Sequence, residues 1–236
     1  MIDRSTLRLS AALLVVGFVL YVVVGLFHPD GPANDHPVVF LEYASSPSWT
    51  VVHLGQFAGM SALIVGLIVL RVALGVQGGG AALVARLGAV FAAMALGLYG
   101  VLQGVDGVAL KQAVNAWATA PEAEKAARFA SAETIRWLEW GTRSYHCFTF
   151  GIALILLGAA VAISARLPKA LGYLMALSGL AYLVQGWVLG AEGFPDSNTV
   201  AILVGYALLL AWTVLLVVVA SRARGSLEPN TQERAI

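Results

Sequence analysis

Six apolar segments restrict the fold of this chain more than any other feature. They are residues 9–27, 49–70, 83–105, 145–165, 167–189 and 199–220. Each is close to the roughly 20 residues that a helix needs to cross the hydrocarbon of a bilayer. Since backbone inside hydrocarbon must satisfy its own hydrogen bonds, these segments are predicted to be membrane helices. The predicted fold class is all-α, a polytopic transmembrane bundle of six helices.

The composition supports one membrane domain. Hydrophobic residues make up 59% and charged residues 11% of the chain, against about 45–50% and 25% in soluble domains. We expect a single domain over 1–222 and a short polar cytoplasmic tail over 223–236. The formal charge of +1 gives no reason to expect nucleic acid as a partner. Membrane lipid is the expected partner, with other membrane proteins or a second copy of the chain as further candidates.

Basic residues occupy alternate connections between the apolar segments, with the long charged connection 107–142 as the exception, and this pattern predicts the orientation. The connections 28–48 and 190–198 contain no Lys or Arg. By the positive-inside rule, both termini are expected in the cytoplasm of a multi-pass protein of the cell membrane. The basic residues that set this prediction are Arg4, Arg8, Arg71, Arg86, Arg166, Lys169, Arg222, Arg224 and Arg234.

Two connections are then predicted to be external. Segment 28–48 is rich in proline and is predicted to be a loop that lies on the membrane surface or folds back as a lid. Segment 107–142 is long, charged and predicted to be partly helical. Within it, Thr119 is predicted to cap a helix, with Pro121 in its first turn and Glu122 completing a capping box.

Ionisable residues recur at one predicted depth. About 20 residues, or about 27–30 Å of helix, separate the cytoplasmic arginines from His28, His53, Asp106 and His146. Polar residues inside a membrane usually face the bundle interior or a cavity. We therefore predict a polar cup that opens outward, and the alternative is an ordinary ring of headgroup-level residues. The other predicted members of the cup are Gln56, Gln103, Gln185, Arg143 and Glu192.

Histidines and carboxylates at this level predict a cofactor site. The primary pair is His53 and His146, with Asp106 and Glu139 as supporting carboxylates. Imidazole and carboxylate ligands suit zinc, copper or iron, and two facing imidazoles suit a haem iron. No HExxH, HxH or CxxC pattern selects among these cofactors. The candidate ligands for a transition metal are His28, His36, His53 and His146.

Other functions remain open on the same residues. A membrane-embedded hydrolase or lipid-modifying enzyme would use this His/Asp/Glu cluster, whereas a transporter accessory or scaffold subunit would not need it for catalysis. No catalytic residue is assigned. The spacing of Arg136, Glu139 and Arg143 predicts an i, i+3/i+4 ion-pair ladder, and the alternative is a clamp for an anion or a lipid headgroup.

Two internal patterns concern helix packing. His53-x3-Phe57 and His146-x3-Phe150 open the second and fourth helices, which favours a pseudo-twofold repeat of helices 2–3 and 4–5. Such a repeat would make His53 and His146 equivalent. Small residues at close-packing spacing occur as Gly100 with Gly104 and as Gly186 with Gly190.

The segment 34–60 reads NDHPVVFLEYASSPSWTVVHLGQFAGM and looks like a family signature. The whole chain resembles the small six-helix membrane proteins of actinobacterial type that are rich in Ala, Val, Leu and Gly. No function is attached to that group. The resemblance therefore implies a membrane bundle and transfers no site residue.

Overall fold

A computed structural model describes residues 2–29 and 31–222, and the predicted polar tail 223–236 lies outside this range. All regular elements within the described range are helical: α1 (Arg4–Gly25), α2 (His36–Ser45), α3 (Trp49–Leu74), α4 (Gly79–Gly104), a π-helical segment (Val105–Leu110), α5 (Lys111–Ala118), α6 (Glu122–Ser164), α7 (Lys169–Glu192) and α8 (Asp196–Arg222). Within the described range, six helical spans are long and apolar enough to cross a membrane. The prediction of an all-α bundle with six transmembrane helices is confirmed.

The third and fourth spans run well beyond the bilayer thickness. The third continues from α4 through the π-helical segment into α5 and covers 40 residues, and α6 covers 43. About 20 residues suffice to cross the hydrocarbon. The segment predicted as partly helical over 107–142 therefore consists almost entirely of extensions of these two spans.

The start of α6 differs from its predicted capping box. The helix begins at Glu122, directly after Pro121, and no side chain caps it. Thr119 instead ends α5, where its hydroxyl donates to the carbonyl of Asn115 at 2.9 Å. The predicted role of Thr119 is wrong because this residue belongs to the preceding helix end. Pro121 is well placed there, since a helix start tolerates the missing N–H of proline.

The predicted loop 28–48 contains a helix, α2. Asp35 caps it by accepting a hydrogen bond from the backbone N–H of Val38 at 3.3 Å, and Pro37 lies in the first turn. Its inner face packs against α5 and α6, so α2 folds back over one end of the bundle. We call this end, which carries α2 and α5, the capped end. The buried residues of α2 are His36, Val39, Phe40 and Tyr43.

Glycines set the closest helix contacts. An added Cβ at Gly158 on α6 would lie 2.5 Å from the carbonyl oxygen of Gly172 on α7, so these two backbones touch directly. The pair Gly186 and Gly190 also packs tightly, in this case against Ser144 of α6. A Cβ at Gly104 would meet nothing within 4 Å among the described residues, so the expectation of close packing is wrong for Gly104.

Substitution of Gly158 tests this packing. We expect Gly158→Ala to lower the free energy of unfolding by about 1–3 kcal/mol, because the methyl group forces α6 and α7 apart. Gly97→Ala is the matched control, since a Cβ at Gly97 of α4 meets no described atom within 4 Å. Thermal unfolding of both variants in one detergent measures the difference. Equal stability of the two variants would contradict the close contact.

Candidate metal centre

Three potential metal ligands meet at the capped end. His28 follows α1, His53 lies in the second turn of α3, and Asp106 belongs to the π-helical segment. One ligand atom from each lies within 4.8 Å of the others. Nε2 of His53 is 3.3 Å from Oδ2 of Asp106. Tetrahedral zinc ligands at about 2.0–2.1 Å from the ion are about 3.3–3.4 Å apart, so this pair already has a suitable separation.

Backbone carbonyls orient both imidazole rings. Nδ1 of His53 is 2.8 Å from the carbonyl oxygen of Trp49, and Nδ1 of His28 is 2.8 Å from the carbonyl oxygen of Pro29. A carbonyl oxygen only accepts hydrogen bonds, so each Nδ1 carries a hydrogen. In the neutral ring, Nε2 then presents a lone pair. Metal-binding histidines are typically oriented in this way by a carbonyl on the other ring nitrogen.

The tautomer of His53 places the lone pair of Nε2 opposite Oδ2 of Asp106, 3.3 Å away. Nε2 of His53 and Oδ1 of Asp106 have no hydrogen-bond partner within the described part of the chain, and each residue is only 3% exposed. A lone pair 3.3 Å from a carboxylate is repulsive, and buried polar groups without partners are costly. A metal ion, or a second proton on His53, between Nε2 of His53 and Oδ2 of Asp106 would relieve this repulsion.

Local sequence explains how α3 approaches the π-helical segment. A Cβ at Gly107 would lie 2.8 Å from the Cβ of His53, so glycine permits the approach. The indole N–H of Trp49 donates to the carbonyl of Gly107 at 3.1 Å, and its ring stacks on His53 with centroids 4.3 Å apart. Sequence reasoning missed Trp49 and Gly107 as supporting residues. The i, i+4 spacing of Trp49 and His53 was the available signal for this stacking.

Burial lowers the pKa of His28 below its ordinary value, although the charge of Asp106 and the hydrogen bond to Pro29 act in the opposite direction. Metal ions bind neutral imidazole. The surroundings of His28 therefore favour the form that binds a metal.

A balanced charge cluster surrounds the three ligands. Nη1 of Arg136 donates to Oε2 of Glu139 at 2.8 Å, and Nε of Arg143 lies 3.4 Å from Oε1 of Glu139. The predicted ion-pair ladder is confirmed. Both arginines also act electrostatically on Asp106. Two arginines balance two carboxylates, so a divalent cation would add positive charge that an anionic ligand would compensate.

The remaining predicted histidine ligands lie outside the three-residue group. Nδ1 of His146 lies 3.0 Å from the carbonyl of Ala95, and its ring contacts Tyr99 with centroids 4.8 Å apart. Nδ1 of His36 lies 2.9 Å from Oε1 of Glu133. Glu139, predicted as a supporting carboxylate, binds its arginines. The roles of these residues as ligands stay predictions.

The predicted cup residues are placed in different surroundings. Gln103 is 8% exposed, and among the described residues neither of its amide atoms has a partner, nor does Oε1 of Gln56. Gln185 donates to the carbonyl of Ala201 at 3.1 Å, whereas Glu192 is exposed at the end of α7. The cup as one continuous cavity stays a prediction.

Polar contacts hold the α2 region over the site. Asn34 donates to the carbonyl of Glu192 and accepts from the N–H of Phe194. Nη2 of Arg136 lies 3.3 Å from the carbonyl oxygen of Ala33. The end of α2 is bound by the Lys111 ammonium group, which donates to the carbonyls of Tyr43, Ala44 and Ser46. The region that carries His28 is therefore attached to three other parts of the bundle.

Comparison with known proteins gives no match for this chain, whether with family models, curated proteins or solved structures.

Proposed function

We propose that this chain is a multi-pass membrane protein that binds one divalent transition-metal ion through His28, His53 and Asp106. The observation that carries the proposal is the unpartnered Nε2 of His53, which faces the Asp106 carboxylate at 3.3 Å while Nδ1 is bonded to Trp49. Two imidazoles and one carboxylate form the ligand set of several catalytic zinc and non-haem iron sites. Zinc is the first candidate because it imposes no geometric preference of its own.

The distribution of basic residues supports an extracytoplasmic position for the site. Arg71, Arg86, Arg166 and Lys169 lie at the end opposite to α2, in or beside the connections there. The basic residues at the capped end belong to the extensions of the third and fourth spans, and they are Lys111, Lys125, Arg128, Arg136 and Arg143. Connection 28–48, at the capped end, contains no Lys or Arg. The positive-inside rule then favours the capped end outside and the metal at the level of the outer leaflet.

The proposed ligand set leaves coordination positions open. An ion with three protein ligands and an open position binds water or a ligand oxygen and acts as a Lewis acid. The charge balance of the cluster favours an anionic oxygen in that position. The protein residues would orient the ion and exclude bulk water through the α2 cover.

Two other chemistries fit the geometry less well. A haem iron on Nε2 of His53 would require a flat macrocycle in a space where Asp106 lies 3.3 Å away. A metal-free hydrolase would need a basic nitrogen that reaches a substrate, but Nδ1 of His53 is bonded to Trp49 and the lone pair of Nε2 points at the Asp106 carboxylate. The remaining alternative is a protonated His53 in a purely structural ion pair with Asp106.

Metal analysis of the purified protein tests the proposal. We expect chelator-treated wild type, after incubation with Zn²⁺ and removal of free metal, to retain one equivalent of zinc. His53→Ala should retain none, because it removes the central ligand. His146→Ala is the matched control, a buried histidine on another helix, and should retain one equivalent. Cobalt(II) gives an independent readout through its visible absorption.

Specific outcomes would overturn the proposal. Folded wild type that binds no divalent transition metal would leave the structural ion pair as the explanation. Loss of zinc in both histidine variants would show that the residues act through the fold. A Soret band in the absorption spectrum of the purified protein would show that the bound cofactor is haem and not a single metal ion.

A further inference from the structure

A cleft of about 330 Å³ opens between α3 and the end of α4, beside the metal centre. Leu54, Phe57 and Val108 give it apolar walls, and His53 and Gln103 lie at its polar part. The full lining is Thr50, His53, Leu54, Phe57, Gly100, Gln103, Gly104, Gly107 and Val108. One cavity thus combines apolar surface with a proposed metal ligand.

Glycines keep the α4 side of the cleft free of side chains. Within the described residues, a Cβ at Gly104 would meet nothing within 4 Å, and a Cβ at Gly100 would meet only the ring of Phe57 at 3.7 Å. In close helix packing such glycines would face a neighbouring backbone. Here the two glycines face open space, so they create volume that no described protein atom fills.

The cleft opens toward the region that lipid occupies. Leu54 is 66% exposed near the outer end of α3, and Val108 is 59% exposed where the third span begins to extend beyond the hydrocarbon. Next to them, Val51 and Val101 are also exposed. Since the outer surface of these spans faces hydrocarbon, the molecules that enter the cleft from this side carry apolar chains.

The polar part of the cleft has unused hydrogen-bonding capacity. Nε2 and Oε1 of Gln103 are both buried and have no partner in the described part of the chain, although a primary amide offers two donors and an acceptor. His53 also lines the cleft, although its Nε2 points to Asp106 in the metal centre. A buried polar group generally has a partner, so this part of the cleft is built for a ligand with polar atoms.

We propose that the cleft binds the hydrocarbon chain of an amphiphile whose anionic oxygen head group hydrogen-bonds to Gln103 and reaches the metal held by His53. The head-group part rests on the proposed metal function, whereas the chain part does not. The anionic character follows from charge complementarity: Arg136 and Arg143 already balance Asp106 and Glu139, so a divalent ion leaves positive charge uncompensated. Carboxylate and phosphate heads share this chemistry.

Photo-crosslinking in liposomes tests the chain site. The probe is palmitic acid with a diazirine at the middle of its chain, and the labelled peptides are located by mass spectrometry. We expect labels on the α3 and α4 residues that line the cleft. Gly104→Leu fills the cleft from a helical position and should reduce this labelling about tenfold or more, as expected for a blocked apolar pocket.

The matched control is Gly97→Leu, on the same helix but outside the cleft lining, where a Cβ also meets no described atom within 4 Å. It should leave the labelling unchanged. Equal labelling of wild type and Gly104→Leu would overturn the proposal. Zinc content is measured on the same samples, and we expect one equivalent in Gly104→Leu, so failure of the cleft and failure of the metal centre are separate results.

The head group is tested with matched probes. The diazirine fatty acid should label zinc-loaded protein more strongly than zinc-free protein. The corresponding long-chain alcohol should label the zinc-loaded and the zinc-free protein to the same extent. A phosphatidic acid with the same diazirine chain is the second anionic probe. The probe whose labelling increases more when zinc is bound shows whether the site prefers a phosphate or a carboxylate head group. Equal zinc dependence for the alcohol and both acids would overturn the anionic head group.

Discussion

Asp106→Asn should weaken zinc binding by more than about a hundredfold, because losing a residue that only orients a metal ligand already costs about 10–100-fold. The substitution keeps the shape of the side chain but removes the anionic ligand atom 3.3 Å from Nε2 of His53. Competition of the purified protein against a zinc chelator of known affinity measures the change. Glu192→Gln is the control, since it makes the same chemical change on an exposed residue of α7.

The stability of the zinc-free protein separates this prediction from the structural ion pair. With a neutral His53, the side-chain amide that Asp106→Asn introduces can donate an N–H to Nε2, so the variant should be at least as stable as zinc-free wild type. In the ion-pair alternative, the substitution removes the charged partner of a buried imidazolium and should lower the free energy of unfolding of the zinc-free protein. Thermal unfolding of both zinc-free proteins decides between the two states of His53.

Depth in the bundle was predictable from the sequence, whereas direction around each helix was not. A fixed rise per residue and a fixed bilayer thickness placed His28, His53 and Asp106 at one level, and the structure brings these three together. His146 has the same predicted depth, yet its ring contacts Tyr99 and Phe150. Which way a side chain points depends on contacts between helices, such as Gly107 against His53, that no single segment encodes.

The cover of the site shows a second limit. Three prolines between residues 28 and 37 favoured a loop, but Pro37 lies in the first turn of α2, where proline starts a helix without losing a hydrogen bond. Asp35 supplies the cap. The π-helical segment around Asp106 is harder to foresee, because one widened turn leaves almost no trace in the hydrophobic pattern, although such turns often mark functional sites.

The largest expected loss of stability comes from Glu139→Gln, at about 3–5 kcal/mol. Glu139 is fully buried and binds Arg136, which is 3% exposed, at 2.8 Å. Removing the carboxylate charge leaves a buried guanidinium without compensation. Contacts of Arg136 with the rings of Tyr43, Trp140 and Phe194 hold it in place, so it cannot reach water. Thermal unfolding in one detergent measures the loss.

An exposed ion pair on the same helix gives the control. Arg128 lies 3.0 Å from Glu124, but both side chains are 53% exposed. Glu124→Gln should change the free energy of unfolding by about 0.5 kcal/mol or less, because solvent screens exposed pairs. Equal effects of Glu124→Gln and Glu139→Gln would show that the buried cluster contributes no special electrostatic stability.

A second substitution tests the charge balance of the cluster. If the four charges compensate as a unit, Arg143→Gln added to Glu139→Gln removes one excess positive charge and should recover part of the lost stability. A double-mutant cycle gives this coupling free energy directly. No coupling would mean that Arg143, 3.4 Å from Glu139 and partly exposed, is compensated by solvent. The positive charge that a bound divalent ion leaves uncompensated would then be smaller than the charge balance of the cluster predicts. The preference of the cleft for an anionic head group would lose its electrostatic basis.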